Sequence, residues 1–173
     1  MIETRKRTVA TVITDEGLAL LRTKSVEVPF TVLGDGGVCL DIVTNELIED
    51  LKRFVMENNG LGMSAIQLGI AKRIFVMRRK TDEIIIVINP KIVERSDEYA
   101  ASPEGCFSIP LMPGVGAIVS RSTSISVQYD TETGDHVSTQ LTGMEARIFQ
   151  HETDHLEGNL MIDKDKLNGW SSL

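Results

Sequence analysis

Leu40, Val43, Leu47, Leu51 and Phe54 recur at intervals of three and four residues, with Glu46, Glu49, Lys52 and Arg53 between them. That spacing puts the apolar side chains on one face of a helix over roughly 41–57, and "NNG" at 58–60 supplies a left-handed stop. Two runs rich in β-branched residues follow, "RIFVM" (73–77) and "EIIIVIN" (83–89), separated by a polar turn and predicting a strand pair. A second pair, "SISVQYD" (124–130) and "HVSTQLT" (136–142), flanks "TETGD", where Gly134 can take positive φ. Another helix starts near Thr142. There "TGME" has the form in which Thr142 caps an amide three residues on while Glu145 reaches back, and Gly158 is placed to end the helix. Strands before, between and after two helices, without regular βαβ alternation, predict an α+β fold with antiparallel or mixed sheets around the second helix.

Composition narrows the class. At 173 residues, the chain reads as one domain over 1–173, long enough to bury a core without disulfides. A hydrophobic fraction of 42% and a charged fraction of 25% exclude a disordered chain. The net charge of −7 offers no basic field to nucleic acid or an anionic membrane. No apolar run approaches the roughly 18 residues needed to cross a bilayer. The opening "MIETRKRTVATVITDEG" is interrupted by Thr8, Thr11 and Thr14, too polar for a signal-peptide core. With two cysteines, Cys39 and Cys106, the expectation is free thiols in the cytoplasm, or in an organellar matrix for a processed form.

The chemistry concentrates in "HETDH" (151–155), which holds two of the three histidines. On the predicted helix His151 and His155 are one turn apart and can reach a single cation. Glu152 is rotated by about 100° from His151, beside the ion, where a carboxylate can take a proton from water. His136, alone beside a turn, reads as a surface residue. A third ligand is still needed. After His155 there is no histidine and no glutamate beyond Glu157, leaving Asp163 and Asp165 in what reads as a strand and its exit. Upstream, "EGCFSIP" (104–110) offers Cys106, whose thiolate suits zinc or iron, although an isolated cysteine is more often a small buried hydrophobe. A third segment, "GLGMSAIQLG" (60–69), lacks the G-K-[ST] of a phosphate loop. Gly60 and Gly62 leave backbone exposed to an extended peptide, and the Gln67 amide suits a developing oxyanion.

Together these segments resemble the peptide deformylases. That family's G-x-G-x-A-A-x-Q, E-G-C-x-S and H-E-x-D-H-L-x-G motifs stand here as "GLGMSAIQ" (60–67), "EGCFS" (104–108) and "HETDHLEG" (151–158). The resemblance continues through "INPKIV" (88–93), "VSRSTSISVQYDTETG" (119–134) and "LMIDK" (160–164), and covers most of the chain from about residue 13. It implies a hydrolase that removes the N-formyl group from the initiator methionine of nascent chains. It also implies Cys106, His151 and His155 as ligands of Fe2+, with Zn2+, Ni2+ or Co2+ as substitutes. Glu152 would be the base, and Gln67 with the Phe107 backbone N–H would hold the oxyanion. Leu61, Gly62 and Gly105 would pair with the peptide, and Met144, Arg147 and Ile148 would line or rim the methionine pocket. Glu104 and Arg121 would pair beside the cysteine.

The chain departs from the family at Ser64 and Ile66, where Ala and Pro are common, and "IPLMPGVGAIVSR" (109–121) is longer than in many members. It also ends soon after "LMIDK", without the basic helix that helps some bacterial members dock on the ribosome, so contact of that kind is not expected. Two other functions compete. A generic H-E-x-x-H peptidase would have no need of Cys106, and a non-catalytic peptide-binding relative would need neither Glu152 nor Gln67.

Overall fold

The computed structural model describes residues 7–110 and 116–164. The chain runs through α1 (Asp15–Leu21), β1 (Thr31–Val32), β2 (Val38–Cys39), α2 (Ile42–Glu57), β3 (Gly62–Ser64) and a 3₁₀ turn (Ala65–Leu68). It continues through β4 (Ile74–Arg78), β5 (Ile84–Arg95), β6 (Tyr99–Glu104), β7 (Ala117–Ser122), β8 (Ser124–Asp130), β9 (His136–Thr142), α3 (Gly143–Leu156) and a second 3₁₀ turn (Met161–Lys164). The central sheet has the order β3-β4-β5-β8-β9, and every pairing within it is antiparallel. Two-stranded ribbons, β1-β2 and β6-β7, stand apart from it. The fold is α+β, as the pattern of elements predicts, in one domain.

Both predicted strand pairs form, and β5 extends to Arg95 through register shifts around Pro90 and Val93. A proline cannot donate to a ladder, so its place beside an irregularity is expected. Why β4 reads as an unbroken apolar run is plain from its packing. Ile74 and Val76 join Leu47, Leu51 and Val55 of α2 on one face of the sheet. Phe75 and Met77 join Phe149 and Leu156 of α3 on the other. A strand covered on both faces loses the alternation that marks a half-buried one. A third cluster ties α1 (Leu21) to β7 (Val119), Ile109 and the second 3₁₀ turn (Met161, Ile162), with Cys106 packed against it.

The helix ends show where local signals held. α2 is capped by Asp41, whose side chain accepts from Thr44 N. It stops with Asn59 in the left-handed region at φ 50° and Gly60 N donating to Val55 O at 2.8 Å, so the asparagine, not the glycine, makes the turn. Val43 does not join the buried stripe; it is exposed, and Thr44 and Ile48 are buried instead. The Thr142–Glu145 capping box does not form, because Thr142 makes no side-chain cap. Thr142 is still paired with Ser124 in the sheet, and Gly143, at φ 57°, turns the chain directly into the helix while its N–H goes to Thr123 O. The other end behaves as predicted. Gly158 sits at φ 76°, its N–H bonds His155 O at 3.1 Å, and Asn159 N bonds Asp154 O at 2.9 Å.

The segment around Asp163 is not a strand. It forms a 3₁₀ turn in which Asp163 accepts from Leu160 N and pairs with Arg22, so its carboxylate is committed away from the histidines. Asp165, the stretch 111–115 and everything after Lys164 lie outside the described residues. No described helix is long and apolar enough to cross a membrane. Cys39 and Cys106 are both free thiols.

Candidate metal and catalytic site

α3 crosses behind the edge strand β3, and its last two turns carry His151, Glu152 and His155. The imidazoles of His151 and His155 stand 5.0 Å apart, centroid to centroid, as i and i+4 residues on one helix face. Cys106 arrives from the turn after β6, held by Ile109 N donating to Cys106 O at 3.0 Å. Its Sγ lies 3.2 Å from His155 Nε2. The ligand atoms of Cys106, His151 and His155 all fall within 4.8 Å of one another. A thiolate with two imidazoles is a donor set for zinc or iron.

The surroundings fit such an ion. His151 Nδ1 lies 2.9 Å from Glu104 Oε2, leaving Nε2 for the cluster. Glu104 also accepts from Arg121 Nε at 2.6 Å, Arg121 Nη2 at 2.9 Å and Arg147 Nη1 at 2.6 Å. Burial pushes the Glu104 carboxyl up, but the bonds from His151 and Arg121 outweigh it and hold the group well below the usual carboxylate range. Cys106 follows the same logic. Burial raises its thiol, yet the facing His155 and His151 hold it well below the ordinary value, so the thiolate form is favoured. Burial lowers His151, while its bonds to Cys106 and Glu104 carry it up to about 10.

Glu152 lies in a different environment. It is 4% exposed, and its Oε2 has no hydrogen-bond partner among the described residues. Burial raises its pKa from 4.5 to about 7, against the opposing pull of His151 and His155. A carboxyl tuned near neutrality can both take and give a proton. Gln67 approaches from the 3₁₀ turn: Ser64 N and Ser64 Oγ donate to its Oε1 at 2.9 and 3.0 Å. This fixes the amide so that Nε2 points to Ser108 Oγ at 3.1 Å and Cys106 Sγ at 3.4 Å. Ser64, a departure from the family motif, therefore helps to orient the glutamine. Ile66 is fully buried and leaves that turn intact.

A cleft of about 460 Å³ opens beside these groups. Leu61, Gly62, Gln67, Gly105, Cys106, Phe107, Met144, Ile148, His151 and Glu152 all line it, whereas His155, 1% exposed, lies behind the wall. Gly60, Pro103 and Glu104 line it as well, and nothing in the sequence marked Pro103 for that place. Arg147, expected to line or rim the pocket, lines the cleft and also bonds Glu104, Val119 O at 3.0 Å and Ala100 O at 2.6 Å. It thereby fastens α3 to the β6-β7 ribbon. Asp154 of "HETDH" was given no role by the spacing argument; it accepts from Arg121 at 2.7 Å and Lys164 at 2.6 Å. His136 is exposed and paired with Asp130, far from this chemistry in role.

Imidazoles from one helix, closed by a thiolate from a separate loop beside a buried carboxyl, place the chain among metal-dependent hydrolases. The comparisons with known proteins narrow this. The polypeptide deformylase family model matches residues 13–169, and the chain belongs to that family. It is 39% identical over 124 residues to a peptide deformylase of Pseudothermotoga lettingae, covering 72% of this chain and 70% of that one. The peptide deformylase structure from Thermotoga maritima has a TM-score of 0.78 at 32% identity, over 93% of this chain and 98% of that one. A Met-Ala-Ser-bound peptide deformylase from Acinetobacter baumannii has a TM-score of 0.76 at 28% identity, over 92% and 98%.

Proposed function

We propose that this protein removes the N-formyl group from N-formylmethionyl peptides, releasing formate and a free amine. The observation that carries the reading is the meeting of Cys106, His151 and His155 beside the buried Glu152 carboxyl, whose Oε2 has no hydrogen-bond partner among the described residues, at the wall of one cleft. A divalent ion held by the three ligands would lower the pKa of water and polarise the formyl carbonyl. Glu152 takes the proton of the attacking water and returns it to the leaving amine. Gln67 Nε2 and the Phe107 backbone N–H hold the oxyanion as charge develops. β3 is the edge of the central sheet, so an extended peptide can add along Leu61 and Gly62, with Gly105 on the opposite wall. The methionine side chain then enters between Met144 and Ile148, and its burial supplies binding energy that a formyl group cannot.

Fe2+ is the ion this reading assigns, with Zn2+, Ni2+ or Co2+ as substitutes. The substrates would be nascent chains leaving the ribosome, wherever translation begins with formylmethionine: the cytoplasm, or an organellar matrix. Protein purified without oxygen should carry about one equivalent of metal per chain and release formate from formyl-Met-Ala-Ser. A chelator should abolish that release. Cleavage of internal bonds in unformylated peptides would instead indicate a peptidase, and binding without formate release a non-catalytic relative.

A further inference from the structure

The glycines of "GLG" at 60–62 do not use the conformational freedom of glycine. Positive φ among the described glycines occurs at Gly36, Gly69, Gly134, Gly143 and Gly158, not at Gly60 or Gly62. What both positions need is space. A Cβ on Gly62 would stand 2.5 Å from Glu152 Oε1, 3.0 Å from its Cδ and 3.1 Å from its Cγ. A Cβ on Gly60 would stand 2.9 and 3.2 Å from two ring atoms of Phe107. Gly105, in the same cleft, would meet nothing within 4 Å.

We propose that Gly62 is a positioning residue for Glu152, its bare Cα forming the seat against which the carboxylate rests. This builds on the reading of Glu152 as the base. The terminal torsion of a glutamate is broad, so a carboxylate is held either by hydrogen bonds or by contact. Glu152 Oε2 has no hydrogen-bond partner among the described residues, which leaves contact. Neither backbone behind that contact can retreat. Gly62 is paired with Met77 in the sheet, and Met77 is fully buried against the core that anchors Phe149 and Leu156 of α3. Close-packed cores resist an added methyl by moving what is least fixed, and here that is the carboxylate. Gly60 differs in consequence. The Phe107 ring it meets is 39% exposed and can swing outward, so a methyl there displaces the rim and not the base. Gly62 thus faces two ways, with backbone for the peptide and an empty Cβ position for Glu152.

The test is a double-mutant cycle with Glu152→Asp, whose side chain is one methylene shorter and vacates the contested space. Metal content, kcat and KM for formyl-Met-Ala-Ser, and thermal unfolding are measured on the same metal-loaded samples. With Glu152 in place, Gly62→Ala should lower kcat by about 10²-fold while KM moves by less than about threefold and metal content holds. In the Glu152→Asp background the same substitution should change kcat by less than about threefold. Gly105→Ala, where only the peptide would be met, should act mainly on KM. Equal losses of kcat in both backgrounds would overturn the proposal. Thermal unfolding gives an answer that does not depend on activity: Gly62→Ala should lower Tm beside Glu152 and not beside Asp at that position. If Gly62→Ala alone does not fold, folding of the double variant supports the proposal, and failure of both overturns it. Coupling in Tm without formate release in the parent protein would refute the deformylase reading and leave the positioning role standing.

Discussion

Glu104 Oε2 lies 2.9 Å from His151 Nδ1, and that contact decides which imidazole nitrogen faces the thiolate. An ionised carboxylate can only accept, so the ring proton sits on Nδ1 and Nε2 is left for the ion. The same carboxylate is the partner of Arg121, which is itself 3% exposed. Glu104→Gln should therefore weaken metal binding by about 10–100-fold. It should also destabilise the fold, by less than the roughly 3–5 kcal/mol of an uncompensated buried charge, because Asp154 still pairs with the Arg121 guanidinium. Metal competition and urea unfolding of the same variant measure the two effects. Unchanged metal affinity would remove the orienting role assigned to Glu104.

Base and ligand should separate cleanly. Glu152→Ala should keep close to a full equivalent of metal while catalysis falls by about 10²–10⁴-fold. Cys106→Ala should lose metal and activity together, since a donor to the ion is gone. Cys106→Asp can still bind zinc through a carboxylate and should retain metal better than the alanine variant. Loss of metal from Glu152→Ala, with folding intact by circular dichroism, would end the proton-transfer assignment.

Metal uptake should expel a proton. In the metal-free protein His151 is held protonated up to about 10, so at neutral pH an incoming cation must displace that proton. Affinity should rise with pH across the neutral range. Calorimetry in buffers of different ionisation enthalpy should count about one proton released. Stability of the metal-free protein runs the opposite way. A folded pKa raised from 6.5 to about 10 contributes stability that is complete below 6.5 and is lost as pH rises through about 10. His151→Gln should flatten that dependence.

Gly158 needs glycine for its backbone conformation and for room. At φ 76° an L side chain is strained, and a Cβ there would run into the Arg22 carbonyl oxygen, a backbone atom. Gly158→Ala should cost more than about 1 kcal/mol, read from denaturant unfolding, whereas a glycine replaced where the conformation is permissive costs less or stabilises. A neutral result would mean that the turn after α3 can rearrange around a methyl group.

How far the sequence reaches follows from the range of each signal. The stripe of α2, the two strand pairs, the Gly134 and Gly158 turns and the i, i+4 histidines all arise between near neighbours, and each was legible. The motif segments also singled out Cys106, Glu152 and Gln67, which follow no local pattern and which the fold brings to one cleft. The seven-residue α1 and the β6-β7 ribbon escaped, the first too short and the second because its β6 strand, "YAASPE", is mostly exposed and without alternation. Where two local preferences met, the fold chose. Thr142 could cap a helix or end a strand, and its pairing with Ser124 prevailed.

Contacts between distant segments were decided only by tertiary structure. Arg147 reads as an ordinary charge on a helix until the β6-β7 ribbon brings Glu104, Val119 and Ala100 against it. Gly62 reads as loose backbone until α3 sets the Glu152 carboxylate where its Cβ would be. Periodicity and capping are properties of the covalent chain over a few residues. Which side chain fills the space beside another depends on how whole elements pack, so the sequence named the chemical groups and the fold determined their order, spacing and protonation.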